Sequence, residues 1–203
     1  MPILEKIEWC DFWWVSTEDD TTPRVMLIGD SITKGYRPVV SKVLENVCNI
    51  DMLATSKALD NPAFKTELDY AFSLKKYDII HFNNGLHGGH LSAEEYHKHF
   101  EDVILYIKGK SPFAKIIIAT STPITKEGNP EELKPESNLQ VIKRNQAVFE
   151  LAAKYGLQVN DLYNLVLGKS ELSLGDSYHY NEEGIDLQGI TVASILKDKL
   201  NII

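Results

Sequence analysis

Cysteine is nearly absent: Cys10 and Cys48 are the two in 203 residues. Two are too few for a disulfide framework, and they read as small buried thiols. No run approaches the roughly 20 apolar residues that a membrane span requires. The start, Met1-Pro-Ile-Leu-Glu-Lys-Ile-Glu, has no basic segment followed by an apolar one. No secretory signal is therefore read, and a cytoplasmic protein is expected. Basic residues are outnumbered 21 to 29, for a net charge of −8. That balance excludes broad binding to nucleic acid or anionic membranes, since both need basic patches. Repeats and low-complexity tracts are missing as well.

What is present is ordinary for a globular chain: 43% hydrophobic and 25% charged residues, with length enough for one substantial core. Five short apolar runs read as buried strands: Arg24–Ile28, Val47–Leu53, Asp78–Phe82, Lys115–Thr120 and the neighbourhood of Gln158–Val159. Helix-like segments separate them. Thr33–Asn46 follows the first run. Ala93–Lys108 carries Tyr96, Phe100, Val103, Ile104 and Ile107 on one face, opened by a Ser92/Glu95 capping box and closed by Gly109. Leu139–Tyr155 ends at Gly156, and a last helix begins after Asn181.

Alternation of strands and helices predicts an α/β domain with a five-stranded parallel sheet, order 2-1-3-4-5, covered by helices on both faces. Ligands bind such sheets at the carboxyl edge, here beside the first strand. Residues 24–203 form the expected domain. Residues 1–23 are an aromatic-rich leader with Trp9, Phe12, Trp13 and Trp14, read as a strap packed on the domain's flank. The stretches Ala54–Pro62, Gly85–Leu91 and Thr122–Ser137 are expected to be irregular.

The first strand ends abruptly at Gly29-Asp30-Ser31, just before a helix. A serine there presents its hydroxyl at the ligand-binding edge. Serine is a poor nucleophile unless a base takes its proton, and that base needs an orienting acid. Asp176-Ser-Tyr-His179 supplies both, a carboxylate and an imidazole spaced to meet across a turn. Neither motif is specific alone; the two in this order are much more so.

Gly29-Asp30-Ser31-Ile32 resembles the first block of the GDSL/SGNH hydrolase family, and Asp176-x-x-His179 resembles its last. The likeness spans Arg24 to about Leu200. It implies a three-layer α/β/α flavodoxin-like domain and a triad of nucleophile Ser31, base His179 and acid Asp176. Members are esterases, lipases, thioesterases and carbohydrate deacetylases.

The middle blocks depart from the family pattern. Its second block offers a glycine N–H to the oxyanion, and Ser56 stands at the matching place here. Its third, Gly-x-Asn-Asp, is replaced by Asn83-Asn84-Gly85-Leu86-His87-Gly88. Alignment on Gly85 puts His87 where the oxyanion asparagine belongs. Imidazole N–H is a competent donor; Asn83 is the alternative. The expected oxyanion donors are thus Ser31, Ser56 and His87 or Asn83.

His87, His90, His97 and His99 do not have the spacing of three or four convergent metal ligands, so no metal is expected. No glycine-rich phosphate cradle follows the first strand, which argues against a nucleotide-binding domain, and no cofactor is expected. Short loops and polar rims point to a small acyl group, acetyl on a carbohydrate or small metabolite, so the expected partner is a small-molecule ester. The alternatives are a lysophospholipase or thioesterase, and a catalytically silent binding module that retains the fold.

Overall fold

The computed structural model describes residues 2–200, so residues 1 and 201–203, the outer ends of the leader and of the expected domain, lie outside the described residues. The sheet core is built from the apolar runs. β2 (Arg24–Gly29) is buried at every position, as a strand covered on both faces must be. It lies between β3 (Asn49–Thr55) and β4 (Ile79–Phe82), followed outward by β5 (Lys115–Ala119) and β8 (Gln158–Asn160), all parallel. These five strands stand in the expected order 2-1-3-4-5.

The count of five is corrected by a sixth strand. β1 (Cys10–Trp13), in the leader, pairs antiparallel with β3 at the sheet edge. Its pattern of intermediate exposure lacks the buried-run signal of the other strands. Tertiary contacts hold it instead: Phe12 stacks on Trp14, and Tyr70 meets both rings edge-on. Arg24 adds a buried clasp, pairing with Asp51 and donating to the carbonyls of Val15, Ser16 and Asp19.

Strand alternation sends side chains to two separate cores. Met26, Ile28 and Phe82 pack beneath α2 (Pro62–Leu74), α3 (Ala93–Lys110) and α4 (Pro135–Tyr155), where Phe64, Phe100 and Val148 complete the layer. Val25, Leu27 and Ile79 face α1 (Ser31–Val43), the short α5 (Leu162–Val166) and α6 (Glu182–Leu200), with Tyr36, Val40, Leu162 and Leu196. The stretch from Thr122 to Ser137, expected to be irregular, contains a hairpin of β6 (Thr125–Lys126) and β7 (Asn129–Leu133) turning at Gly128.

One buried titratable group makes the fold sensitive to acid. His81 on β4 accepts a hydrogen bond at Nε2 from the Asn160 amide (3.1 Å) and meets Tyr36 edge-on. Burial disfavours its charged form and pushes the pKa down to about 4. The unfolded imidazole titrates near 6.5, so between about pH 6.5 and 4 the unfolded chain binds a proton that the folded chain refuses. Stability should therefore fall by roughly 3 kcal/mol across that window, and this group adds nothing further below it. In urea titrations from pH 7 to pH 4, His81→Leu should be less stable at neutral pH yet show a flatter decline. An unchanged slope would assign the acid loss to other groups.

Candidate active site

Two turns bring the chemistry to the carboxyl edge of the sheet. At the end of β2 the chain passes into α1, whose N-cap is Asp30, accepting from the Ile32 N–H at 2.9 Å. Ser31 is the first helical residue, where N–H groups lack intrahelical partners, and its own N–H has none among the described residues. Gly29 is required by close approach: a Cβ there would lie 2.0 Å from Thr33 Oγ1.

The second turn precedes α6. Asp176 Oδ1 accepts from the backbone N–H of Tyr178 (3.0 Å) and of His179 (2.8 Å). Ser177 adopts a left-handed φ of 83° between them. The bend sets His179 Nδ1 at 2.6 Å from Asp176 Oδ2 and His179 Nε2 at 2.8 Å from Ser31 Oγ. Burial raises the Asp176 pKa, but the hydrogen bonds from His179 and Tyr178 together outweigh it and hold the carboxyl below its ordinary value. An ionised Asp176 accepts the Nδ1 proton, which leaves Nε2 as the acceptor facing the Ser31 hydroxyl. The three side chains thus form one hydrogen-bonded chain across 148 residues of sequence.

The hairpin fastens this turn. Thr125 N–H donates to the Ser177 carbonyl and Gly128 N–H to that of Gly175, at 3.1 and 2.8 Å.

The expected oxyanion donors fare differently. Ser56 is corrected: its N–H donates to the Trp9 carbonyl at 3.1 Å, and its hydroxyl bonds Glu8. The leader strand has claimed that group. Asn83 commits its amide to the Ala119 carbonyl (2.7 Å) and to Ser121 Oγ (3.4 Å). His87 sits with Nδ1 3.5 Å from Glu5 Oε1 and its ring edge-on to Trp9. Its Nε2 has no hydrogen-bond partner among the described residues. Asp30 is only 1% exposed, and burial raises its pKa.

Arg144 is almost fully buried and supports the loop. It donates to the carbonyls of Gly85 (2.8 Å), His87 (2.9 Å) and Gly88 (2.6 Å), and lies over the Tyr96 ring. Asn145 grips the Ser121 backbone through both its N–H and its carbonyl. Glu5 of the leader caps the same loop by accepting from Gly88 N–H. Gly85 is needed for close approach, since a Cβ would fall 1.5 Å from Ser121 Oγ.

His90 bonds Asp60 and His97 lies near Glu150, so the histidines are dispersed. Among the described residues no group of three or more metal-ligating side chains converges. No helix among them is long and apolar enough to cross a membrane. A hollow of about 630 Å³ lies at the amino ends of β5 and β8, bordered by Lys115 and Gln158, away from Ser31. A hollow of about 180 Å³ is walled by His179 itself.

This arrangement sits in a known architecture. The aryl esterase of M. smegmatis superposes with a TM-score of 0.72 at 12% identity, over 87% of this chain and 99% of that one. A carbohydrate acetylesterase from Sinorhizobium meliloti gives 0.71 at 14% identity, again over 87% and 99%. A protein from Parabacteroides merdae described as a GDSL-like lipase gives 0.66 at 12%, over 89% and 96%. The fold is that of the GDSL/SGNH hydrolases. No protein-family model and no curated protein matches the sequence.

Proposed function

We propose that the chain is a serine esterase that cleaves carboxylic esters through an acyl-enzyme. The observation that carries this reading is the continuous hydrogen-bonded chain from Asp176 through His179 to Ser31. His179 Nε2 takes the Ser31 proton as Oγ attacks the ester carbonyl, and Asp176 steadies the imidazolium. The imidazolium then protonates the departing alcohol as the C–O bond breaks. A water deprotonated by the same nitrogen hydrolyses the acyl-serine and restores the enzyme. The oxyanion is met by the Ser31 N–H at the start of α1, where the helix dipole adds its field, and by His87, whose Nε2 is free while the Asn83 amide is spent. The esterase and acetylesterase names of the structural neighbours agree with this reading.

The acyl group is small. Beside the first turn of α1, the hollow bordered by Ile32, Thr33 and Asn83 offers only about 10 Å³, about the space of one water, which leaves no room there for a long acyl chain. A fluorophosphonate should label Ser31, and p-nitrophenyl esters should be turned over best as the acetate, with at least a tenfold loss by octanoate (about 1–3 kcal/mol of misfit). Preference for the long chain would favour a lysophospholipase or thioesterase. No labelling and no turnover would leave a silent binding module.

A further inference from the structure

The helix that carries Arg144 has two apolar faces. Inward, α4 sends Val148, Leu151 and Ala152 into the core. Outward, Leu139, Ile142 and Phe149 remain 52%, 45% and 45% exposed. Their spacings of three and seven residues place them on one stripe of the helix. The stripe borders an open hollow of about 500 Å³ between α4 and α5, lined by Ile142, Phe149 and Tyr163 among others. Single exposed apolar residues need no explanation, but a continuous stripe marks a contact surface.

The charges on the stripe say what covers it. Lys143 and Glu150 are both exposed, and they flank Gln146 by three residues before and four after. A second α4 laid antiparallel, with a two-fold axis through Gln146, sets each residue opposite the one equally far beyond the axis. Phe149 then enters the socket formed by Leu139, Ile142, Lys143 and Gln146 of the second copy, the four-residue hole of knobs-into-holes packing. Its ring covers the Lys143 stem, and Glu150 falls beside the Lys143 ammonium of that copy. The two-fold repeats the pair. Within its own chain Glu150 accepts from the Gln146 amide at 3.0 Å and lies 3.6 Å from His97, at the rim of the stripe. A patch whose charges match their own rotated image is suited to an isologous interface. An anionic lipid surface would want cations throughout, whereas Glu150 and Asp161 border this hollow. The net charge of −8 opposes association only through repulsion that salt screens. We propose that the chain forms a two-fold dimer in which the outer stripes of two α4 helices pack antiparallel about Gln146.

Sedimentation equilibrium of the full chain at physiological salt should show a dimer with a micromolar dissociation constant. Ile142→Glu sets a carboxylate against Glu150 of the second copy and should weaken association at least about 100-fold. Ile142 is 45% exposed, so circular dichroism of the variant should be unchanged. Lys143→Glu and Glu150→Lys should each weaken the dimer about tenfold, and the two together should restore it to within about threefold of wild type. Rescue by the double reversal is the result that self-pairing alone produces. A wild type that stays monomeric into the high micromolar range would overturn the dimer, and its flotation with phosphatidylcholine vesicles would give the stripe to a lipid surface instead. A dimer indifferent to Ile142→Glu would place the interface on another face. Single variants that the double reversal fails to rescue would overturn the antiparallel pairing about Gln146.

Discussion

Ser31→Ala should lower ester turnover by a factor of about 10⁴ or more while leaving the fold and its melting temperature nearly unchanged. The hydroxyl is partly exposed, and its hydrogen bond is the one to His179. Its loss therefore costs the fold little but removes the proposed nucleophile altogether. Turnover of p-nitrophenyl acetate, with circular dichroism as the control, reads both quantities. Wild-type turnover in the variant would place the nucleophile elsewhere. The pH profile adds a constraint of definite sign. Asp176 is held below its ordinary value, so it stays charged as pH falls from neutral through the range where a free carboxyl still ionises. Loss of activity on mild acidification cannot then come from Asp176.

The second large effect is expected far from any reacting atom. Arg144→Met keeps the apolar stem of the side chain but removes three hydrogen bonds to the loop that carries His87. The Gly85 and Gly88 bonds are buried, so their carbonyls are left without partners, and a loss of about 3–5 kcal/mol is expected. For a chain of this length that corresponds to a melting temperature lower by roughly 10 °C. Below the transition the folded variant should still lose about 10- to 100-fold in kcat, because the proposed His87 donor, once displaced from the oxyanion, would contribute little. Arg144→Lys should recover only part, since one ammonium cannot match a planar fork serving three carbonyls. A variant that melts early but keeps full kcat would reduce Arg144 to a structural clamp.

Much of the fold was legible because its signals are local. β2, β4 and β5 are continuous apolar runs, and the helix of Ala93–Lys110 announces itself by its period and its Ser92/Glu95 box. The sheet order follows from right-handed parallel crossovers, which leave few alternatives. Ser31, Asp176 and His179 stood out because two short motifs compress most of their geometry into a few residues. The hairpin of β6 and β7 was missed: its strands are short, largely exposed and interrupted by Pro130, and they are held by hydrogen bonds to the Asp176 turn rather than by a pattern of their own.

The sequence by itself determined the layered α/β plan, the strand that leads into Ser31 and the Asp176–His179 pair, because strand period, helix caps and a three-residue turn are properties of neighbours along the chain. Only the tertiary structure decided that the Ser56 N–H is taken by Trp9, that the Asn83 amide is spent on Ala119, and that Arg144 holds the His87 loop across 57 residues. Each of those outcomes is a competition for a hydrogen-bonding partner between segments remote in sequence. Such a competition is settled by which groups the packed sheet edge brings within about 3 Å of one another.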